Sequence, residues 1–492
     1  MRPPRTTLPG GLEISRVLTG LWQIADMERR APLDPEAGAD ALADYAAAGF
    51  DTFDMADHYG SAEIVAGRLL ARGVRARALT KWCPPSGPMD AATVRAGVEA
   101  RLRRLGVDRV DLLQFHWWAF SHPAWLDALH EMARLREEGL IGALGVTNFD
   151  AAHLDLALAD GVPLATNQVS FSLVDRRAAG PLAGVCAARG VRLLAYGTLC
   201  GGFLSERWLG APAPAPEDWS KMKYLRFIEA AGGWDAFQGL LQAAHGVARR
   251  HGVGIANVAT RWVLDHPHVA GVIVGARLGE SEHRDDNLRL FAFEMDEADR
   301  AALEGAFAAM RPVPGDCGDE YRRPPFLTAS GDLSHHLAEM PRAHDPEPVP
   351  GREGARRVST GTLWEEIAGY CRAQRIGDRV LVSGTTATAG AGRAVAVGDA
   401  GAQTTFVMDR ILAAVSALGG TAADVARTRI YVAPEAEAAV EAISRAHARA
   451  LDGVRPANTL VLARPVGDHL VEIEAEAILG DAQAGAPASR PS

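Results

Sequence analysis

Between about residue 14 and residue 310, short runs of β-branched and aromatic residues alternate with longer segments whose apolar positions recur every three to four residues. The short runs read FDTFDMA (50–56), RALTKW (77–82), VDLLQFH (110–116), IGALGV (141–146), PLATNQV (163–169), VRLLAYG (191–197) and GVIVGA (271–276). A further run near Val17–Trp22 brings the candidate strands to eight. The segments between them read as amphipathic helices: in 122–139, Trp125, Leu129, Met132 and Leu135 fall at helical spacing. Asp34, Asp90 and Asp150 stand where N-caps belong, and Gly106 and Gly139 where helices end. Strands alternating with helices predict a parallel sheet, and eight such units predict closure into a (β/α)8 TIM barrel spanning 1–311.

The pattern then breaks. Residues 312–354 are rich in Pro, Gly and charge without periodicity and read as a linker, whose Tyr321 and Phe326 suggest partial docking. From 355 to 481 strand runs (379–387, 425–433, 458–465, 469–479) and helical runs (400–420, 435–453) return, predicting a small α+β domain. Residues 482–492 read as a disordered tail.

Composition narrows the function. A formal charge of −10 excludes nucleic acid as a main partner, because phosphate backbones demand a basic surface. No apolar run is long enough for a membrane helix, and the N-terminus does not read as a secretory signal. Five scattered cysteines without CxxC pairing point to reduced thiols and a cytoplasmic protein. The His335-His336 pair has no cysteine near it, so no metal site is expected.

In such a barrel, chemistry gathers at the C-terminal strand ends. Three of them carry it here: DTFDMADHYG supplies Asp54 and Tyr59, ALTKW supplies Lys81, and LLQFHWW supplies His116. A hydride-accepting carbonyl needs an acid beside its oxygen, and a tyrosine, with an ordinary pKa of about 10, needs a neighbouring cation to serve near neutral pH. In order, spacing and strand position these four residues resemble the catalytic tetrad of the aldo-keto reductases. The downstream pieces resemble it too: GVTNF with Asn148, TNQ with Asn167 and Gln168, and LLAYG with Tyr196.

The resemblance covers about residues 10–310. It implies that Tyr59 donates the proton, Lys81 lowers its pKa, Asp54 holds Lys81, and His116 orients the carbonyl. It implies that Asn167 and Gln168 grip the nicotinamide carboxamide, that Asn148 also belongs to the cofactor site, and that Tyr196 stacks on the ring. In IVGARLGESEHRDDN, Gly275, Arg277, His283, Asp286 and Asn287 stand where the family binds the adenosine 2′-phosphate and adenine. NADPH is therefore expected ahead of NADH. His283, where the family often has arginine or glutamine, and Gly197–Gly201, where relatives often read Tyr-Ser-Pro-Leu, depart from the pattern. Trp22, Trp117 and Trp118 are candidates for the substrate-pocket wall. Trp208, Trp219 and Trp234 either wall the substrate or pack.

Residues 355–480 resemble the RidA family of enamine/imine deaminases through LVSGTTA, the Gly398-Asp399…Gln403 run, RPANT and VEIEA. Asn458 replaces the arginine that grips the substrate carboxylate in that family, while Glu472 matches its acidic residue. A neutral amide cannot reproduce a bidentate charged grip. The resemblance also implies a homotrimer through this domain. Reduction of an aldehyde, ketone or imine is the leading function. A RidA-type deaminase and a cofactor-bound, ligand-sensing scaffold stay open as alternatives.

Overall fold

Eight parallel strands close in sequence order into a barrel: β1 (Val17–Gly20), β2 (Thr52–Asp54), β3 (Arg77–Trp82), β4 (Val110–His116), β5 (Ile141–Thr147), β6 (Leu164–Ser170), β7 (Arg192–Tyr196) and β8 (Val269–Gly275). β8 pairs with both β1 and β7, which seals the ring. The structure, a computed structural model, describes residues 2–24, 33–215, 219–280, 283–322, 342–390 and 392–480. None of the described helices is long and apolar enough to cross a membrane.

The period of two along each strand decides what fills the barrel. Leu18, Leu79, Leu112, Ala143, Ala165, Leu194 and Ala270 meet in one buried apolar cluster, joined by Leu8 and Ile14 of an N-terminal antiparallel hairpin (Arg5–Thr7 with Glu13–Ser15). Two residues further along the same rows the inward positions turn polar: Lys81 follows Leu79, and Gln114 and His116 follow Leu112. An apolar plug therefore lies beneath a polar layer at the C-terminal strand ends.

Outside the barrel run α1 (Pro35–Ala47), α2 (Ala62–Ala71), α3 (Ala91–Leu105), α4 (Ala124–Glu137), α5 (Ala151–Ala159) and α6 (Pro181–Arg189), one after each of β1 to β6. α7 (Trp219–Ala230), α8 (Trp234–His251) and α9 (Ile255–Leu264) all lie between β7 and β8, and α10 (Arg284–Leu288) and α11 (Glu297–Ala308) follow. Asp34, Asp90 and Asp150 cap their helices by accepting from the amides of Ala37, Thr93 and His153 at 3.2, 2.8 and 2.9 Å. Gly106 ends α3 in the left-handed conformation, as a helix stop requires.

The segment read as a linker is structured at both ends. Val313 and Cys317 are buried, and a single turn, Asp319–Arg322, places Tyr321 in the barrel mouth. Arg177 ties this turn down through the Asp316 carbonyl and the Glu320 carboxylate, both at 2.8 Å. Phe326 and the His335-His336 pair lie outside the described residues.

Among the described residues the main sheet of the second domain has seven strands, β9 (Glu347–Pro348), β10 (Arg356–Val358), β11 (Ala373–Ile376), β12 (Arg379–Thr386), β13 (Val425–Val432), β14 (Ala457–Leu462) and β15 (Val471–Ile478), beside a separate ribbon of Thr388–Ala389 with Arg393–Ala394. They are ordered β9-β10-β11-β12-β15-β13-β14. The sheet thus begins at Glu347, where Pro348, which lacks an N–H, sits at an edge. The domain also carries two long helices, α12 (Ala400–Ala417) and α13 (Val440–Leu451), and a short one at Leu363–Ala368, and α12 lies on the sheet against β12 and β15.

The two domains meet along α5, which packs against α12. At one end of α5, Asp150 pairs with Arg449 at 2.6 Å; at the other, Asp160 takes Arg393 at 2.9 Å and the Ala396 amide at 2.9 Å. Between them His153 bridges Asp150 (Nδ1, 2.7 Å) and Asp409 (Nε2, 3.0 Å) with its ring stacked 3.6 Å from Phe120. Burial works against its charge, yet the two carboxylates outweigh burial and hold its pKa above the ordinary value. A raised folded pKa means that stabilisation by His153 is complete below the unfolded value of about 6.5 and is lost as pH rises through the folded one. Thermal melts above about pH 6.5 should therefore show a falling Tm, and His153→Gln should flatten that slope. An equal slope in the variant would refute the assignment.

Candidate active site

The polar layer is organised by one carboxylate. Asp54, the last residue of β2, accepts Lys81 Nζ at 2.8 Å on one oxygen and Gln168 Nε2 at 2.6 Å on the other. Lys81 also donates to the Met55 carbonyl at 2.9 Å, and Gln168 Nε2 reaches Gln114 Oε1 at 3.3 Å. Lys81 and Asp54 are almost wholly buried, so each charge depends on the other.

Tyr59 stands over this pair, with Lys81 Nζ 5.0 Å from its ring centre. Trp22 and His58 meet the ring edge-on at 4.9 and 4.8 Å and fix its plane. The loop that presents Tyr59 is tied by Asp57, which accepts from the Cys83 amide at 2.9 Å and holds His58 Nδ1 at 2.8 Å. Burial pushes the Asp57 carboxyl up, but His58, Cys83 and Arg101 together keep it below the ordinary value, so it stays ionised as an anchor.

His116 ends β4 beside Trp118, their ring centres 4.1 Å apart, and its Nε2 lies 3.5 Å from Asn148 Nδ2. Asn148 adopts φ +57°, a strained conformation for a residue with a Cβ. Its side-chain oxygen accepts from Tyr196 Oη at 2.9 Å, and Tyr196 Oη lies 3.2 Å from Tyr321 Oη. Burial, and then Tyr321, push the Tyr196 phenol well up, so it stays neutral.

These groups face one cavity of about 510 Å³, lined among others by Trp22, Asp54, Tyr59, Lys81, His116 and Trp118. Asn148, Gln168 and Tyr196 line its middle course in the chain, and Gly275, Arg277 and His283 come from the last strand and the turn after it. Lys223 of α7 and Tyr321 also line it, 2.5 Å apart. Sequence reading missed Lys223, Gln114 and Asp57. Only Gln114 carried a local signal, since it shares the inward row of His116.

Four candidates fall elsewhere. Trp117 is fully buried and stacks on Phe115, with its indole N–H donating to the Ala119 carbonyl at 2.7 Å. Asn167 does not line the cavity; its amide holds both the Phe149 carbonyl (2.8 Å) and amide (3.3 Å). Adjacent residues on a strand face opposite sides, so only one of Asn167 and Gln168 can look into the cavity; Trp117 and Trp118 lie just past the end of β4, and of the two Trp118 lines it. Asp286 and Asn287 do not line it either: the Asp286 carbonyl accepts from Asn257, and the Asn287 amide bonds the His283 carbonyl. Trp208 and Trp234 pack against Phe203, while the Trp219 side chain lies outside the described residues.

The donor set suits a dinucleotide. Amide groups and a flat phenol ring stand near the tetrad, glycine backbone (Gly197, Gly201, Gly202) continues along the trough with Tyr224 against the first two, and a guanidinium steadied by Gln23 at 2.8 Å also lines it. Among the described residues no three His, Cys, Asp or Glu side chains gather as a metal site, and all five cysteines are free.

In the second domain, Asn458 donates to Thr428 Oγ1 at 3.0 Å on the helix side of the sheet. Glu472 pairs with Tyr431, three residues along β13 from Thr428, and so faces the other side. The two do not share a site within one chain. Glu472 abuts Gly384, where a Cβ would collide with it, and burial raises its carboxyl despite Arg372.

Comparison with known proteins agrees with this architecture. Residues 16–307 match the Aldo/keto reductase family, and residues 362–479 match Endoribonuclease L-PSP, the RidA-type domain. The chain belongs to the aldo/keto reductase family and is an NAD(P)-dependent oxidoreductase with a RidA-type domain fused behind the barrel. It is 32% identical over 216 residues to flagellar radial spoke protein 5 of Chlamydomonas reinhardtii, covering 37% of this chain but only 41% of that protein. It is 31% identical to protein tas of Escherichia coli, covering 49% of this chain and 81% of that one. A glycerol dehydrogenase of Gluconobacter oxydans superposes with a TM-score of 0.54 at 25% identity, over 63% of this chain and 97% of that one.

Proposed function

We propose that this protein reduces an aldehyde or ketone, with imines within its chemical reach, using NADPH and Tyr59 as general acid. The observation that carries the reading is the buried Lys81–Asp54 pair beneath the Tyr59 ring, facing the same cavity as His116. The ammonium favours the phenolate that proton donation leaves behind, and Asp54 with the Met55 carbonyl keeps the ammonium in place. His116 directs the carbonyl oxygen toward Tyr59, and Trp22 and Trp118 keep water from the oxygen. Asn148 and Gln168 hold the carboxamide and Tyr196 the ring face, with Asn167 supporting them from behind through Phe149. Gly275, Arg277 and His283 take the phosphate end. When bound, the nicotinamide supplies the hydride.

Titration by tryptophan fluorescence tests this. NADPH should bind more tightly than NADH, and Arg277→Ala should weaken NADPH about tenfold while leaving NADH unchanged, since a guanidinium–phosphate contact contributes about 1–3 kcal/mol. Failure of both nucleotides to bind would overturn the reading.

Asn458 and the opposite facing of Glu472 argue against a carboxylate-gripping deaminase as the main activity, and the intact tetrad argues against a bare scaffold. The free thiols fit a cytoplasmic setting. The outer sheet face exposes Leu381, Val461 and Ile478, which fits burial against further copies of this chain as a homotrimer. Light scattering on the full chain should give three subunits, reduced by Leu381→Glu with Val461→Glu. A monomeric wild type would refute it.

A further inference from the structure

We propose that the C-terminal domain is a working part of the barrel's site, with Arg449 and Asp409 acting as positioning residues that hold Asn148 through the first turn of α5. The proposal rests on the reading of Asn148 as a residue that holds the cofactor.

Asn148, Phe149 and Asp150 are consecutive. The first lines the cavity, the second is gripped front and back by Asn167, and the third caps α5. A left-handed backbone at a residue with a Cβ persists only where its surroundings hold it. On one side the Asn148 carbonyl packs against Gly318, where any Cβ would overlap it. On the other side, next to the Ala151 amide that donates to Asp316 at 3.3 Å, the chain is anchored by Asp150. Its carboxylate is buried, bonds the amide and Nδ1 of His153, and takes Arg449 at 2.6 Å. Arg449 belongs to α13, and the far nitrogen of His153 is held by Asp409 of α12.

The buried anion that starts α5 is therefore bonded to a cation from the second domain. Removing Arg449 takes away one of the cations that compensate this buried carboxylate, leaving it the bond to His153 and the nearby Arg322, and the under-compensated charge recovers hydration by loosening its cap. The first turn then frays, and Phe149 and the strained Asn148 lose their downstream anchor. The His153 ring lies on Phe120, which in turn meets Phe149 edge-on at 5.0 Å, so loss of the Asp409 contact travels the same way.

The interface contains its own control. Arg393 ties the same helix to the same domain, but at Asp160, at the end away from the site.

The test uses full-length Arg449→Met, Arg449→Lys, Asp409→Asn and Arg393→Met. Amide hydrogen exchange over residues 147–154 is read in nucleotide-free protein, and NADPH affinity by tryptophan fluorescence. Arg449→Met should speed exchange in that segment at least tenfold and raise the NADPH Kd about tenfold. Arg449→Lys should recover part of both, Asp409→Asn should give a smaller change of the same kind, and Arg393→Met should change neither. Wild-type exchange in Arg449→Met would overturn the proposal, and so would equal effects from Arg393→Met, which would reduce the contact to general docking. Should Arg449→Met fail to fold, Arg449→Lys and Asp409→Asn decide by the same readings. If wild type binds no nucleotide, the cofactor reading fails, and exchange still decides whether the domain holds Asn148.

Discussion

Tyr59→Phe should lower kcat for aldehyde reduction by about 10²- to 10⁴-fold, the contribution of a positioned general acid, while changing nucleotide affinity less than twofold. The two halves of that expectation have separate causes. The hydroxyl is the only atom lost, so proton donation goes. The ring stays wedged between the edges of Trp22 and His58 over the Lys81 ammonium, so the wall of the cavity is unchanged. Steady-state rates at saturating NADPH, beside a fluorescence titration, separate them. A variant retaining a third of wild-type kcat would remove Tyr59 from the chemistry, and parallel loss of nucleotide binding would make it a structural residue.

Lys81→Met should destabilise the protein by about 3–5 kcal/mol as well as abolish reduction, because the Asp54 carboxylate stays buried with only amide donors. Methionine nearly matches the lysine stem, so packing is a minor part of the loss. The discriminating companion is Lys81→Met with Asp54→Asn. Removing both charges should restore most of the stability, because no lone charge remains in the interior, while activity stays lost. Denaturant melts of the single and double variants check this. A single variant as stable as wild type would mean that water reaches Asp54 and the pair is not the buried couple described above.

Much of this site could be read before any coordinates. Asp54, Tyr59, Lys81 and His116 stand at or just beyond strand ends, where the order of a (β/α)8 chain already assigns them to one rim. The caps at Asp34, Asp90 and Asp150 were equally local, since a cap is settled within four residues. Motif matching went wrong where it treated neighbours as a pair. Asn167 was grouped with Gln168, yet the two-residue period of a strand sends the two to opposite sides, and Trp117, grouped with Trp118 just past the end of β4, is tied to the Ala119 carbonyl instead.

The alternation of apolar and polar positions, with the types of residue at strand ends, determined the barrel, its polar rim and the chemistry of the tetrad, because these follow from backbone periodicity and chain order alone. Only the tertiary structure decided that Tyr321 returns to the mouth beside Lys223, that Asn458 and Glu472 face opposite ways, and that Arg449 closes the charge of Asp150. The first and the last join residues brought together by packing rather than by spacing, and the second is set by strand pairing. A buried charge takes whatever partner the fold brings within reach, and nothing in the local pattern at residue 150 announces an arginine almost three hundred positions away.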